Sequence, residues 1–326
     1  MKHFNIWKKI AVFLLMLNIV LPSLLSGFSP SIKTQGDPAL KGMSFGPSLT
    51  IGPGAKIFDG GSLSLLANSD NRQMLSMVLQ DKDGTLVVID GGWDMDAAHL
   101  TDVIRSKGGR VSGWFITHPH SDHVGALVEI LNNPDSQITI DHVYHSMADP
   151  AWYEAVEPSR SDLIPRLISA LATLPKESVH QVRKNQEIQI GQIKVKVLND
   201  PYLLETAAVN NSSVVYKFFL NNVSILALGD LGPDGGDALA KDCSAEDLKS
   251  DIVQMSHHGQ YGVNKDVYAL IKPQIALWPC PLWLWNNDSG GGIGSGDWKT
   301  LETRQWMEEL NVKVNYSIKD GDQIIY

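Results

Sequence analysis

Short apolar runs and stretches of helical periodicity alternate along the chain from residue 73 onward. The first two runs, 73–80 and 85–89, consist of β-type residues and flank the turn sequence Asp81-Lys82-Asp83-Gly84, which predicts a β-hairpin. Apolar residues then recur at helical spacing over 94–107, and Gly108-Gly109 predicts the end of that helix. A hairpin followed by a helix indicates a mixed α/β fold.

The same alternation continues over the rest of the chain. Further strands are predicted at 111–117, 138–144, 187–198, 213–220 and 223–228. Further helices are predicted at 124–131, 161–174 with Ser161 as N-cap, 237–241, 245–249, 265–271 and 299–310. Hairpins on both sides of interspersed helices predict two sheets with helices outside them, which is a four-layered αβ/βα sandwich of the α/β class.

The first 29 residues have a different pattern. A basic start with Lys2, Lys8 and Lys9 precedes an almost wholly apolar run over 10–20, and Pro22 is then followed by small residues. This layout is typical of a secretory signal peptide, or of a membrane anchor if it is not cleaved. We therefore expect an extracellular protein that is either secreted or anchored at its N-terminus.

The remaining chain divides into two parts. Residues 30–45 are rich in Pro, Ser and Gly and predict a linker. Residues 46–326 predict a single domain, in which a Trp- and Gly-rich extension begins at about residue 278.

Acidic residues outnumber basic ones by 36 to 27, which gives a net charge of −9. Removal of residues 1–29 would take away three lysines and no acid, so the mature chain would carry −12. A chain this acidic has no general attraction for nucleic acid, and we do not expect a nucleic-acid partner. Cys243 and Cys280 are too few for a disulfide framework; we favour two separate thiols, and their pairing stays open.

The segment Thr117-His118-Pro119-His120-Ser121-Asp122-His123 follows a predicted strand and precedes a predicted helix. Alternate residues that leave a strand can face the same way, so His118 and His120 can bind one metal ion together. Asp122 and His123 then turn toward a neighbouring position. Because imidazole and carboxylate groups are the ligands that suit zinc and similar ions, this cluster predicts a metal site.

Three more predicted strands end in residues that can bind or support a metal. Asp90 follows the strand at 85–89, and Gly229-Asp230 follows the strand at 223–228. His257 and His258 come at the end of a further short apolar strand that begins at Asp251. Together with the 118–123 motif, these residues resemble the metallo-β-lactamase superfamily in order and spacing over roughly residues 70–275. Asn210-Asn211-Ser212-Ser213 before Asp230, and the His-His-Gly after it, are similar to bacterial phosphorylcholine esterases and to the hydrolase domain of competence DNA-uptake proteins.

The resemblance implies specific roles for these residues. Asp230 would bridge two metal ions, and Asp90 would support the metal ligands without binding metal. Asn210 and Asn211 stand where many superfamily members carry a further histidine, and we expect them beside the ligands. Either His257 and His258 complete one metal site each, or one metal keeps an open position, and spacing does not decide between these.

The expected metal ligands are therefore His118, His120, Asp122, His123, Asp230, His257 and His258. Asp122 is also expected to be catalytic, and Tyr261 to donate a hydrogen bond to a substrate oxygen. His142 and His145 are weaker candidates because they do not alternate correctly along their predicted strand. The resemblance implies two divalent ions, zinc or manganese, which lower the pKa of a shared water so that metal-bound hydroxide attacks the substrate.

The expected substrate is a phosphoester or phosphodiester in a small molecule or a surface polymer, and no stable protein partner is implied. The tryptophans of 278–285 and Trp298 either pack a C-terminal lobe, which we favour, or form a wall of the metal site, where indole faces would suit a quaternary ammonium group. Three alternatives stay open: hydrolysis of a lactone or amide carbonyl, an extracellular nuclease, and a non-catalytic surface module stabilised by metal.

Overall fold

The computed structural model describes residues 43–45, 49–51, 56–160 and 162–326. The predicted signal segment, most of the predicted linker and the predicted N-cap Ser161 therefore lie outside the described residues. Within those residues, no helix is both long enough and apolar enough to span a bilayer.

The described strands alternate with helices, as the sequence predicts. The strands are β1 (Met43–Phe45), β2 (Leu49–Ile51), β3 (Ser62–Leu65), β4 (Ser76–Gln80), β5 (Leu86–Asp90), β6 (Arg110–Val111), β7 (Gly113–Phe115), β8 (Thr139–Ile140), β9 (Val143–His145), β10 (Val179–Gln181), β11 (Glu187–Ile190), β12 (Ile193–Val197), β13 (Tyr216–Leu220), β14 (Val223–Ala227), β15 (Ile252–Gln254), β16 (Ile275–Trp278), β17 (Val314–Ser317) and β18 (Gln323–Ile325). The helices are α1 (Ala97–Ser106), α2 (Ser121–Asn132), α3 (Pro150–Val156), α4 (Leu163–Leu171), α5 (Ala208–Asn211), α6 (Pro233–Asp242), α7 (Ala245–Leu248), α8 (Lys265–Ile271), α9 (Leu282–Trp285) and α10 (Thr300–Glu309).

Two seven-stranded mixed sheets form the body of the fold. The first has the order β10-β9-β7-β5-β4-β3-β18, and the second has the order β11-β12-β13-β14-β15-β16-β17. The predicted hairpin is confirmed, because β4 and β5 pair antiparallel with Met77 opposite Ile89. The segment from about residue 278 contributes β17 to the second sheet and β18 to the first, so both sheets depend on it.

Three predicted strands are each divided in the structure. The run 111–117 forms the end of β6 and all of β7, which belong to different sheets. The run 138–144 forms β8 and β9, which belong to different sheets, because the chain changes neighbours at Asp141 and His142. The run 187–198 forms β11 and β12, which pair antiparallel around the turn at 191–192. Each division turns one long β-type run into two short paired strands.

The sheets pack face to face through a shared aromatic core. Phe115 of β7 contacts Tyr216 and Phe218 of β13, with both pairs of ring centroids 5.2 Å apart. Helices α1, α2 and α4 pack against this same buried cluster through residues such as Leu127. A second buried cluster joins the second sheet to α6, α8 and α10. The two clusters give the four layers that the hydrophobic pattern predicts.

Parallel pairing brings several strand ends to one edge. In the first sheet β5 and β7 are parallel, and Ile89 lies opposite Phe115. In the second sheet β14, β15 and β16 are parallel, with Ala227 opposite Gln254. The carboxyl ends of neighbouring parallel strands lie together, so the polar residues that follow these strands are collected in one region.

Candidate metal site

The predicted ligands and their predicted support Asp90 end or follow four of these strands. Asp90 is the last residue of β5, and His118 and His120 lie in the segment between β7 and α2. Asp230 follows β14, and His258 lies in a short 3-10 turn after β15.

Buried side chains converge into two groups of metal-ligand type, and Asp230 belongs to both. The ligand atoms within each group lie within 4.8 Å of one another. The first group contains Asp122, His123, Asp230 and His258, and the second contains His118, His120 and Asp230.

Asp90 orients His123 directly and His118 through Thr117, from the side away from the cluster. Its Oδ2 accepts a hydrogen bond from Nδ1 of His123 at 2.7 Å and from the Thr117 hydroxyl at 2.7 Å. The Thr117 oxygen lies 3.2 Å from Nδ1 of His118, so the carboxylate reaches that ring through one hydroxyl. Asp90 is fully buried and has a φ of 54°, a conformation that costs a non-glycine residue energy and is common at functional sites. Its carboxylate holds both rings with Nε2 free to face the cluster.

The other two histidines in these groups also have outer partners. Nδ1 of His258 lies 3.1 Å from the Pro279 carbonyl oxygen, which leaves its Nε2 facing inward. His120 has the opposite orientation: its Nδ1 lies 3.1 Å from Nε2 of His118, and its own Nε2 lies 2.9 Å from Oε2 of Glu157. Glu157 is absent from the sequence-predicted set, because the 146–160 segment carries no motif that would indicate it. Metal-binding histidines usually hold their second ring nitrogen on an outer partner in this way.

The interior of the cluster contains buried polar atoms without a hydrogen-bond partner among the described residues. These atoms are Nε2 of His123, Nε2 of His258 and Oδ1 of Asp230. Nε2 of His258 is 3.0 Å from Oδ2 of Asp122 and 3.3 Å from Oδ2 of Asp230, but neither contact has hydrogen-bond geometry. Buried polar atoms are normally satisfied, so their convergence fits a bound divalent cation.

The charges of the cluster also fit a bound divalent cation. Burial lowers the pKa of His258, but the carboxylates of Asp230 and Asp122 outweigh burial and raise this pKa to about 9. Burial raises the pKa of Asp230, but His258 and His123 outweigh it and hold that pKa well below its usual range. Without a cation, a proton on His258 would therefore balance part of the carboxylate charge at neutral pH. A divalent cation would replace that proton.

The structure separates the adjacent histidines that spacing alone does not distinguish. His257 and His258 have φ values of 49° and 56°, so the chain turns sharply and sends the two side chains in different directions. His258 is fully buried and joins the first group, whereas Nε2 of His257 contacts Nδ2 of Asn210 at 3.2 Å. The structure thus does not place His257 with the ligand-type atoms of either group.

The two asparagines support different parts of the site. The amide nitrogen of Asn210 contacts Nε2 of His257, and its Oδ1 is buried without a hydrogen-bond partner among the described residues. Asn211 accepts hydrogen bonds from the backbone nitrogens of Gly232 and Gly235, at 2.8 and 3.1 Å. Asn211 therefore holds the turn that follows Asp230.

A glycine before Asp230 is a steric requirement of this arrangement. Gly229 has a φ of 57°, and a Cβ there would lie 2.8 Å from the Ser213 hydroxyl oxygen and 2.9 Å from Cβ of Thr117. The Ser213 hydroxyl accepts a hydrogen bond from the Asp230 backbone nitrogen at 3.0 Å. Close contact between the two sheets at this point fixes the position of Asp230.

The remaining sequence candidates lie apart from both groups. The Tyr261 hydroxyl donates to the backbone carbonyl of Asp297, so it is already engaged. Nδ1 of His142, just before β9, lies 3.1 Å from Nε2 of His180 on β10, and His145 accepts a hydrogen bond from the Met147 backbone nitrogen.

The cysteines and tryptophans mainly pack. Cys243 and Cys280 are both free thiols. Trp278 is fully buried and its ring contacts Trp285, while Trp283 contacts Trp298 with ring centroids 4.9 Å apart. These contacts agree with the preferred expectation of a packed C-terminal lobe.

Comparison with known proteins assigns the chain to a family. The model of the metallo-beta-lactamase superfamily matches residues 70–272, and the chain belongs to this superfamily. No functionally curated protein matches it by sequence.

Solved structures agree on the fold. The metallo-beta-lactamase fold protein YhfI from Bacillus subtilis has 10% identity and a TM-score of 0.50, with 81% of this chain and 99% of that chain covered. An E377D mutant of the CmlA beta-hydroxylase has 13% identity and a TM-score of 0.50, with 81% of this chain and 53% of that chain covered. At these identities the similarity shows the fold alone. The superfamily fold and the His/Asp cluster together support a metal-dependent hydrolase that binds divalent metal.

Proposed function

We propose that the protein hydrolyses phosphoesters or phosphodiesters at the cluster centred on Asp230, with two divalent cations, zinc or manganese, as cofactors. The observation that carries this proposal is that two buried His/Asp groups share one carboxylate. A carboxylate has two oxygens and can serve two cations at the separation of about 3.5–4 Å that is typical of dinuclear sites.

The chain supplies the ligands and their orientation. Asp122, His123, Asp230 and His258 would hold one cation, and His118, His120 and Asp230 the other. Two cations in such a site supply an activated water and stabilise negative charge on a phosphoryl oxygen. Asp122 is the proposed proton acceptor as well as a ligand; its Oδ2 lies 3.0 Å from Nε2 of His258 within the first group.

A positively charged side chain at the edge of the cluster supports the preference for a phosphoryl group. Nη1 of Arg160 lies 3.3 Å from Nε2 of His120, and the arginine side chain is 58% exposed. A guanidinium group pairs well with phosphate oxygens and can be reached from solvent here. The Asn-Asn-Ser-Ser and His-His-Gly elements add their resemblance to phosphorylcholine esterases.

An activity screen tests this function. The purified protein is supplied with zinc or manganese and assayed on bis(p-nitrophenyl) phosphate, p-nitrophenylphosphorylcholine, a lactone, a β-lactam and DNA. We expect turnover of the phosphate esters that disappears after chelation and in Asp230→Asn. Turnover of the lactone or β-lactam with no phosphate ester hydrolysis would contradict the proposal, and DNA cleavage would support the nuclease alternative.

We also propose that the substrate is extracellular, because residues 1–29 have the layout of an export signal. Expression of the full chain, followed by N-terminal sequencing of protein from the medium and the membrane fraction, tests this. We expect the protein outside the cytoplasm in either cleaved or anchored form. Exclusive recovery from the cytoplasm would contradict it.

A further inference from the structure

Glu157 is an acidic residue at the cluster that no sequence motif indicates. Its Oε2 lies 2.9 Å from Nε2 of His120, and its Oε1 lies 3.3 Å from Nε of Arg160. The Glu157 side chain is only 26% exposed. The Glu157 carboxylate therefore lies between His120, a proposed metal ligand, and the guanidinium group of Arg160.

The contact with Glu157 determines which nitrogen of His120 carries the proton. An ionised carboxylate only accepts hydrogen bonds, so Nε2 must donate to Glu157. Arg160 also lies 3.3 Å from that nitrogen, but two donors cannot bond each other, and the carboxylate contact is shorter. With the proton on Nε2, the lone pair of Nδ1 faces His118 and the interior of the second group.

The segment that carries Glu157 is anchored to the site from two directions. Glu157 caps the C-terminus of α3, and its backbone nitrogen donates to the Tyr153 carbonyl at 2.9 Å. Tyr153 is buried in a small cluster with Ile164 of α4 and Val209 of α5, next to Asn210. The Tyr153 hydroxyl also contacts the Ser212 hydroxyl at 3.4 Å. These contacts hold Glu157 at a fixed distance from the cluster.

The second group has the greater need for an outer carboxylate. It contains two histidines and the shared Asp230, whereas the first group has four members. By the resemblance, Asn210 and Asn211 stand where many superfamily members have another histidine, and the Asn210 amide nitrogen is engaged with His257. With fewer ligands, the orientation of each histidine contributes more to holding the cation.

We propose that Glu157 is a positioning residue that fixes the His120 ring for the cation of the second group, and that Arg160 holds Glu157 in place. This inference rests on the proposed two-cation function. Outer partners of ligand histidines typically change metal affinity by about 10–100-fold, so Glu157 should affect one of the two cations far more than the other.

Metal titration of Glu157 variants tests the inference. The full chain is stripped of metal and titrated with cobalt(II) in the presence of a chelator, and visible absorption follows each binding step. In Glu157→Ala we expect the cobalt(II) affinity of one binding step to fall by about 10–100-fold, while the affinity of the other step stays as in the wild type. Glu157→Gln keeps a neutral acceptor oxygen and should recover part of the loss.

Glu154→Gln is the matched control, because Glu154 lies on the same helix, is exposed and should leave both steps unchanged. Circular dichroism of each variant reports folding separately. Wild-type binding in Glu157→Ala, or equal weakening of both steps, would overturn the positioning role. A wild-type protein that shows fewer than two steps would instead overturn the two-cation function itself, and the inference with it.

Discussion

At the scale of single residues, the two adjacent histidines after β15 show what geometry adds to a motif. Both have left-handed backbone conformations, so the alternation of a strand does not extend to them. His258 is directed into the cluster and is held by Pro279, whereas His257 contacts Asn210 at its edge. A motif of two identical residues therefore contains two different roles.

Alanine variants of this pair should behave differently. His258→Ala removes a proposed ligand, so we expect loss of one cation. The proposed phosphodiesterase activity should fall by more than the roughly 10–100-fold that is typical when an outer partner is removed. His257→Ala should keep both cations. Metal content per chain and initial rates measure the two effects. Equal metal loss in both variants would contradict the assignment of His258 alone to the first group.

Much of the site could be predicted from the sequence, because its residues follow strand ends in a recognisable order. The structure brings His118, His120, Asp122, His123, Asp230 and His258 together as two groups. Glu157 could not be predicted, because its contact with His120 depends on how α3 folds back over the site and not on local pattern.

At the scale of elements, the position of α2 decides where Asp122 and His123 lie, because both are in its first turn. Gly125 lets this helix approach the chain near Trp93 closely. A Cβ at Gly125 would lie 2.7 Å from the Trp93 carbonyl carbon and still closer to the Asp94 backbone nitrogen. Since those atoms belong to backbone, they cannot move aside as a flexible side chain could.

Gly125→Ala should therefore destabilise the protein by roughly 1–3 kcal/mol, the usual cost of overpacking a core. The control is Glu129→Ala, which changes a half-buried position on the same helix and should cost about 0.5 kcal/mol or less. Urea denaturation of the metal-free variants gives the free energy of unfolding. Equal stability of the two variants would show that α2 can move to accommodate the methyl group.

Elements with strong periodicity could be predicted closely, and short ones could not. The predicted helix at 265–271 matches α8 (Lys265–Ile271), because its apolar face is regular and packs on the second sheet. Strand β18 has three residues and pairs with β3, which lies far away in sequence, so no local signal indicates it. Helix α5 has four residues and owes its conformation to its surroundings.

At the scale of the whole molecule, the last strand, β18, forms one edge of the first sheet and contacts residues that lie more than 200 positions earlier in the chain. Asp322, just before β18, accepts a hydrogen bond from the Ala67 backbone nitrogen at 2.8 Å. The same carboxylate contacts Nε2 of His99 on α1 at 2.9 Å. This carboxylate therefore links β18, the end of β3 and α1.

The contribution of the His99–Asp322 contact to the stability of the protein should depend on pH. The hydrogen bond to Asp322 raises the pKa of His99 above its usual 6.5, and the charges of Asp96 and Asp102 raise it further. Burial lowers this pKa, but by less than the hydrogen bond raises it. A histidine whose pKa is higher in the folded state than in the unfolded state stabilises the protein fully at pH values below its pKa in the unfolded state. This stabilisation is lost as the pH rises through its pKa in the folded state. His99→Gln should thus lower the Tm more at about pH 5.5 than at about pH 9.

Thermal unfolding of the wild type and His99→Gln at both pH values measures the difference directly. Because the site residues are the same in both proteins, their titration cancels in the comparison. A difference in Tm that is unchanged, or larger at the higher pH, would contradict a charged His99–Asp322 contact.

Asp230 is proposed to join two cation sites, and anomalous diffraction from zinc-soaked crystals would locate both cations. We predict two peaks at the zinc edge, about 3.5–4 Å apart, on either side of the Asp230 carboxylate. One should lie among Asp122, His123 and His258, and the other beside His118 and His120. A map with no peak at Asp230, or with zinc bound only elsewhere, would contradict a shared role of Asp230 in two cation sites.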